Sequence, residues 1–479
     1  MDTRKNHQPD GAELDPPHGV VGRIASYIDA VRGTHASEPA RQAAFRAVLD
    51  LLGAAAAGIG DPGPTAVRNT VRNTMAAGSV PIWFSGASSS VIGAAWANSA
   101  AASALDLDDG HRMARGHPGA AVIPTAFAIA TETNAALEDI ISAIVIGYEV
   151  GVTIGAARTT YGNTGTWSSY AVVATAAALR GTSHDVMAHA LAIAGESAPN
   201  QLFLSAPAPR IPDPEGSAVK EGIPWSVVTG LVALELAEAG HTGPRNILDS
   251  VRHYSFPDEL TLEASQHICN TYFKLYACCR HVHAPLDALL QILEQHDITA
   301  GDIDAIEVET TSGALRITNK VCPTNLIDVQ YSIPYCLALA ATAGAQALLP
   351  LTDEALRQDG VTALARKVKL SLNPAFDARF PAETLARVTI IVGDQRLTSE
   401  VVTPRGEATN PLSWAELEAK FEAATRMVAT EAQQRLVLGA MDDARAGNLT
   451  ALTASLAEVT LRPGPTVVNA RPERRVHVR

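Results

Sequence analysis

The sequence predicts a mainly α protein with an α+β insertion: one large all-helical domain built from both parts of the chain, and a smaller α+β lid domain set between them. Two observations predict it. Ala-rich apolar segments recur at helical spacing from residue 21 to about 240 and again from 414 to about 457, while strand-like alternation is confined to 303–402. With 479 residues, 47% of them hydrophobic, the chain can fill more than one core.

Taken in order, residues 1–18 are polar and Pro-containing and are expected to be disordered. The first helical part spans 19–260, with helices predicted over 43–57, 92–105, 120–133, 137–154, 170–179, 186–194 and 225–239, separated by short Gly, Pro, Asn and Asp segments. The lid spans 261–408. Within it 303–310 and 368–372 alternate as strands, 388–392 and 397–402 flank Gly393-Asp394 as a hairpin, and helices are predicted over 285–294 and 333–347. The chain rejoins the helical domain over 409–462, and 463–479, with Arg471, Arg474, Arg475 and Arg479, reads as a solvated, disordered tail. No internal repeat is visible.

The net charge of -13 argues against a nucleic-acid partner, which would need a basic footprint, but leaves room for an anionic small molecule wherever cations gather locally. Five cysteines without a C-x-x-C pair or a disulfide-framework spacing predict a reducing, cytoplasmic setting. The first ten residues lack the apolar stretch of a signal peptide, and the run 335–351 is interrupted by Gly344 and Gln346, so no membrane segment is expected. Phosphate-cradling glycine loops and the Gly-x-Ser-x-Gly elbow are absent, which leaves acid–base chemistry on an anionic metabolite.

Three clusters could carry it. Residues 104–119 pack Asp106, Asp108, Asp109, His111, Arg112, Arg115 and His117 between apolar helices. Aspartates at a helix C-terminus oppose the macrodipole, so stability alone would not choose them. Gly110 fits a left-handed C-cap, and His117-Pro118-Gly119 fits the next helix start, where the dipole would keep His117 neutral and able to accept a proton. A polar corner that merely satisfies helix ends accounts for the same residues. The second cluster compresses Lys274, Arg280, His281 and His283 ahead of Asp287; on a strand His281 and His283 would share a face, which opens a metal reading, although carboxylate recognition fits better. Third, Lys220 stands at a helix start, where the dipole disfavours it unless an anion binds there.

Asp106-Leu-Asp-Asp followed by His117-Pro-Gly, Ile146-Gly-Tyr-Glu-Val, Lys274-Leu-Tyr-Ala-Cys-Cys-Arg-His-Val-His, Tyr331-Ser-Ile-Pro-Tyr335 and Arg405-Gly with Asn410-Pro-Leu together resemble the MmgE/PrpD family. The resemblance implies a homodimer with an active site at the domain junction and a lyase, dehydratase or decarboxylase, acting on a small di- or tricarboxylate without metal or organic cofactor. An isomerase or epimerase on a related acid is the alternative. Candidate catalytic residues are Asp106, Asp109, His117, Lys220 and His283; candidate substrate-binding residues are Arg112, Trp167, Lys274, Tyr276, Cys279, Arg280 and His281. Trp167 falls in the stretch where many members carry a site histidine, which puts the usual reaction in question and opens a third reading, a non-catalytic acid-binding or scaffold protein.

Overall fold

The computed structural model describes residues 19–160, 162–199, 216–257, 260, 262 and 266–462; the two predicted disordered ends lie outside the described residues. Among these the helices run α1 Val20–Val31, α2 Glu38–Gly58, α3 Pro62–Thr74, α4 Val91–Ser103, α5 Gly119–Thr133, α6 Leu137–Ala157, α7 Gly165–Arg180, α8 His184–Glu196, α9 Ile223–Glu238, α10 Gln266–Cys269, α11 Arg280–Gln295, α12 Ser312–Arg316, α13 Leu326–Gln330, α14 Ile333–Ala343, α15 Asp359–Ala365, α16 Pro374–Asp377, α17 Trp414–Thr425, α18 Glu431–Arg445 and α19 Thr450–Glu458. The strands are β1 Val80–Ile82, β2 Ala87–Ser89, β3 Gly110–His111, β4 Thr271–Tyr272, β5 Ala305–Thr310, β6 Val368–Leu372, β7 Arg387–Val392 and β8 Gln395–Thr398.

The helical core gathers α1, α2 and α4–α9 with the returning α17–α19. Their alanines and glycines let backbones approach closely, and α6 is buried nearly all round, as a helix apolar on every face must be. At 21 residues α6 is long and apolar enough to cross a bilayer, contrary to the expectation from the shorter 335–351 run, yet 89% of its apolar window is buried among other helices. The C-terminal return is fixed by α17, whose Phe421 packs on Gly53 of α2 and whose buried Lys420 pairs with Asp50.

A second core joins α11, α14 and α15 to a four-stranded mixed sheet ordered β6-β5-β7-β8. β5 pairs parallel with β6 and antiparallel with β7, and its alternating burial turns Ile306, Val308 and Thr310 inward. The predicted hairpin forms, although β8 ends at Thr398; beyond it the Ser399–Val388 hydrogen bond and the Ala386–Val402 bridge carry the pairing further.

Three local expectations change. Gly110 does not cap α4; the left-handed residue there is Asp106, at φ 53°. Gly110 instead pairs with Tyr272 in the β3–β4 ribbon, where a Cβ would fall 2.3 Å from the Tyr272 hydroxyl oxygen. Finally, α11 begins at Arg280 rather than 285, with Pro285 one turn inside it. A proline there removes a single helical hydrogen bond, a cost that the buried side chains around it offset. His281 and His283 are therefore helical neighbours two apart, about 200° round the axis, and do not share a face.

Candidate active site

The β3–β4 ribbon stitches the corner after α4 to the segment before α11 and so carries Lys274 to Asp106, 168 residues earlier in the chain. Lys274 is fully buried; its Nζ donates to Asp106 Oδ2 at 3.1 Å and to the Asp106 carbonyl at 2.8 Å. Lys220 Nζ donates to Asp106 Oδ1 at 3.2 Å and to Gln330 Oε1 at 2.9 Å. The Tyr331 hydroxyl reaches the same Oδ1 at 3.5 Å, and its ring lies 5.4 Å below the Lys220 ammonium. Burial alone would raise the Asp106 carboxyl; Lys220, Lys274 and His117 outweigh it and hold the group well below the usual carboxylate range. Lys274 responds in kind: burial favours the neutral amine, but Asp106 and Asp108 keep it charged, above the ordinary ammonium range.

His117 precedes α5, with Pro118 at the N-cap. Its Nδ1 lies 2.8 Å from the Asp109 carbonyl oxygen, which can only accept, so Nδ1 carries a proton and Nε2 faces Asp106 Oδ1 at 3.7 Å. Asp108 Oδ2 stands 3.4 Å from Nδ1. The expectation of a neutral imidazole is overturned here. Burial and the Lys274 charge favour neutrality, but Asp108 and Asp106 prevail and push the His117 pKa up to about 9. Proximity of two carboxylates outweighs the helix dipole that the sequence emphasised. Asp109 orients His117 through its carbonyl, while its carboxylate accepts from the Tyr148 hydroxyl at 2.5 Å and from Gly119 N at 3.0 Å. Burial nevertheless pushes the Asp109 pKa up to about 7.

Lys220 occupies an unusual backbone. Lys220, Glu221 and Gly222 are all left-handed, at φ 45°, 55° and 73°. The two non-glycine residues each cost about 1–2 kcal/mol, so surrounding contacts must hold them.

Among the described residues, the other predicted ones make no hydrogen bond to the side chains around Asp106 and have partners of their own. Arg112 and Arg280 both grip Glu407: Arg112 Nε donates at 3.1 Å and Arg280 Nε at 3.0 Å, and both guanidiniums stack on the Tyr272 ring. They form a structural clamp. Tyr276 donates to Asp287 Oδ1 at 3.0 Å, and Asp287 in turn accepts from the Arg405 backbone. His283 Nε2 lies 3.2 Å from the Cys278 carbonyl and donates to it, while burial and then the Arg280 and Lys274 charges drive its pKa well down. His281 packs on Phe380, and burial lowers its pKa to about 4. Cys279 anchors the Gln330 backbone through its N–H, and burial pushes its thiol up to about 12. Trp167 is fully buried in the helical core, where its indole packs against Gly116, the residue before His117. A Cβ at Gly116, Gly151 or Gly155 would fall 2.9–3.2 Å from its indole, so these glycines form the slot that accepts it.

The geometry thus assembles Asp106, His117, Lys220 and Lys274, with Asp108, Gln330 and Tyr331 added. Gln330 and Tyr331 were not among the candidates, although Tyr331 opens the Tyr331-Ser-Ile-Pro-Tyr335 motif. Lys220, Lys274 and His117 gather about Asp106, with Asp108 and Asp109 beside His117, and each ammonium, with three N–H donors, meets two acceptors among the described residues. Such a centre can bind a carboxylate and move a proton. Among the described residues no group of three or more His, Cys, Asp or Glu side chains is placed to hold a metal ion.

Residues 22–256 match the MmgE/PrpD N-terminal domain and residues 276–443 the MmgE/PrpD C-terminal domain. The chain is similar to a cis-aconitate decarboxylase of Aspergillus terreus, 27% identical over 363 residues that cover 66% of this chain and 71% of the relative. A second sequence of that description, from Aspergillus terreus strain NIH 2624, is 26% identical over 357 residues, 65% of this chain and 70% of the relative.

Proposed function

The chain belongs to the MmgE/PrpD family, and from that membership we propose that it is a lyase that decarboxylates a small tricarboxylate of the cis-aconitate type. The observation that carries this reading is the pair of buried ammonium groups on Asp106, Lys220 and Lys274, each with an N–H donor beyond its two acceptors, beside the His117 imidazole. A buried ammonium with an unmatched donor is costly, and a substrate carboxylate placed against the spare donors would relieve that cost.

In the proposed reaction Lys220 and Lys274 hold two substrate carboxylates. The bond from carbon to the third breaks and carbon dioxide leaves. Its electron pair passes into the unsaturated system conjugated with a retained carboxylate, where the ammonium groups stabilise the developing charge. His117, charged at neutral pH because its pKa stands at about 9, then donates its Nε2 proton to carbon. A raised pKa favours a proton donor over a base that must first be neutral. Decarboxylation needs such a donor at carbon, and it is preferred here to dehydration and epimerisation because both similar Aspergillus terreus sequences are described as cis-aconitate decarboxylases.

Incubation with cis-aconitate, citrate, 2-methylcitrate and longer alkylcitrates, read by mass spectrometry, tests the proposal. Loss of carbon dioxide from cis-aconitate is expected. Loss of water from a citrate alone, or no change in any acid, would overturn it.

A further inference from the structure

We propose that the Thr164–Glu221 hydrogen bond is a positioning bridge that holds the proton-donating His117 and the substrate-binding Lys220 in mutual register; the inference rests on the lyase reading above. Thr164 is the N-cap of α7, yet its side chain caps nothing in its own helix. Its buried hydroxyl instead donates to Glu221 Oε2 at 2.8 Å and accepts from the His117 backbone N–H at 3.2 Å. A hydroxyl has one proton, so donation to Glu221 turns its lone pairs toward His117 and fixes both contacts together. Glu221 Oε2 also accepts from Thr164 N at 3.2 Å, which places an anion at the positive end of the α7 dipole.

Glu221 directly follows Lys220, and both hold left-handed backbone. The bridge therefore restrains the strained turn that presents the Lys220 ammonium. Close approach on either side depends on glycine: a Cβ at Gly116 would fall 2.4 Å from Thr164 Oγ1, and one at Gly165 would fall 2.7 Å from the Glu221 carbonyl oxygen. Three chain segments far apart in sequence thus meet at one hydroxyl. Neither Thr164 nor Glu221 is assigned contact with substrate. They act through Lys220 and His117, where a misplacement of about 1 Å costs on the order of 100-fold in rate.

The test uses Thr164→Val, which keeps the shape and removes the hydroxyl, with Thr164→Ser, Glu221→Gln and the double variant Thr164→Val/Glu221→Gln. With cis-aconitate as substrate, Thr164→Val is expected to lower kcat about 10- to 100-fold and to raise KM, because it loosens both groups at once. Thr164→Ser should stay within about threefold of the unmodified protein, and the double variant should be no worse than Thr164→Val, since partners in one bridge are not additive. Thr164→Val with unchanged kcat and KM, or losses that multiply in the double variant, would overturn the bridge. If Thr164→Val does not fold, Glu221→Gln against Thr164→Ser makes the same comparison. Should the unmodified protein turn over none of the acids, the lyase reading fails separately. The bridge is then judged by NMR titration of the His117 imidazole: a fall of about half a unit or more in Thr164→Val or Glu221→Gln supports it, and an unmoved titration overturns it.

Discussion

Asp106 and Glu407 are both buried carboxylates held between two cations, yet the two arrangements differ in what they leave over. At Glu407 the cations are arginines, whose planar forks close on the carboxylate from both sides and stack on Tyr272; Arg280 also donates to the Arg405 carbonyl at 2.9 Å. At Asp106 the cations are lysines, each with a donor to spare, and an imidazolium stands 3.7 Å away. The contrast teaches that buried charge is not itself a sign of chemistry. A closed guanidinium clamp ties two distant chain segments together, whereas ammonium groups with unmatched donors form a centre that a ligand can complete.

Loss of the His117 imidazole should do the most damage. His117→Asn should lower turnover by about 1,000-fold with the circular dichroism spectrum unchanged, within the range expected for loss of a general acid, and an unaltered rate would remove His117 from the mechanism. Next, Lys274→Met should weaken tricarboxylate binding by about 100-fold in calorimetry, whereas Glu407→Met should leave acid binding within about threefold and instead cost about 3 kcal/mol in urea denaturation by stranding the buried Arg280 and the half-buried Arg112. Equal binding losses in both variants would erase the distinction.

A pH series sharpens it further. The folded His117 pKa, about 9, lies above the ordinary 6.5. Stability from that imidazolium is therefore complete below pH 6.5 and lost as pH rises through about 9, and kcat should fall along the same limb. A limb centred at 6.5 would mean that Asp106 and Asp108 do not hold the charge. The smallest effect belongs to Tyr148→Phe, which removes one hydrogen bond to Asp109 and should cost about 1–2 kcal/mol in denaturation with only a few-fold loss of rate.

Much of this was legible in the sequence. Aspartates and a histidine between two Ala-rich helices, Lys220 at an unfavourable helix start, and Lys274 in a basic cluster ahead of a helix stand out from the local sequence; Asp106, His117, Lys220 and Lys274 do meet in the fold. The helical and α+β parts were legible from periodicity alone. What escaped depends on partners distant in the chain. Arg112 and Arg280 look like anion binders until Glu407 is seen closing on them, 295 and 127 residues away. The setting of Trp167 likewise depends on Gly116, Gly151 and Gly155, which together form the slot for its indole. Pro285 reads as a helix start, and that reading left His281 and His283 outside the helix that carries them. Protonation escaped for the same reason: the helix dipole is visible from local sequence, but the distances from His117 to Asp106 and Asp108 are not.

The most direct measurement is a crystal structure of the protein with cis-aconitate bound. Carboxylate oxygens of the acid are expected within hydrogen-bonding distance of Lys220 Nζ and Lys274 Nζ, with His117 Nε2 facing a substrate carbon. An acid seated on Arg112 and Arg280, or one that leaves both ammonium groups untouched, would contradict the account.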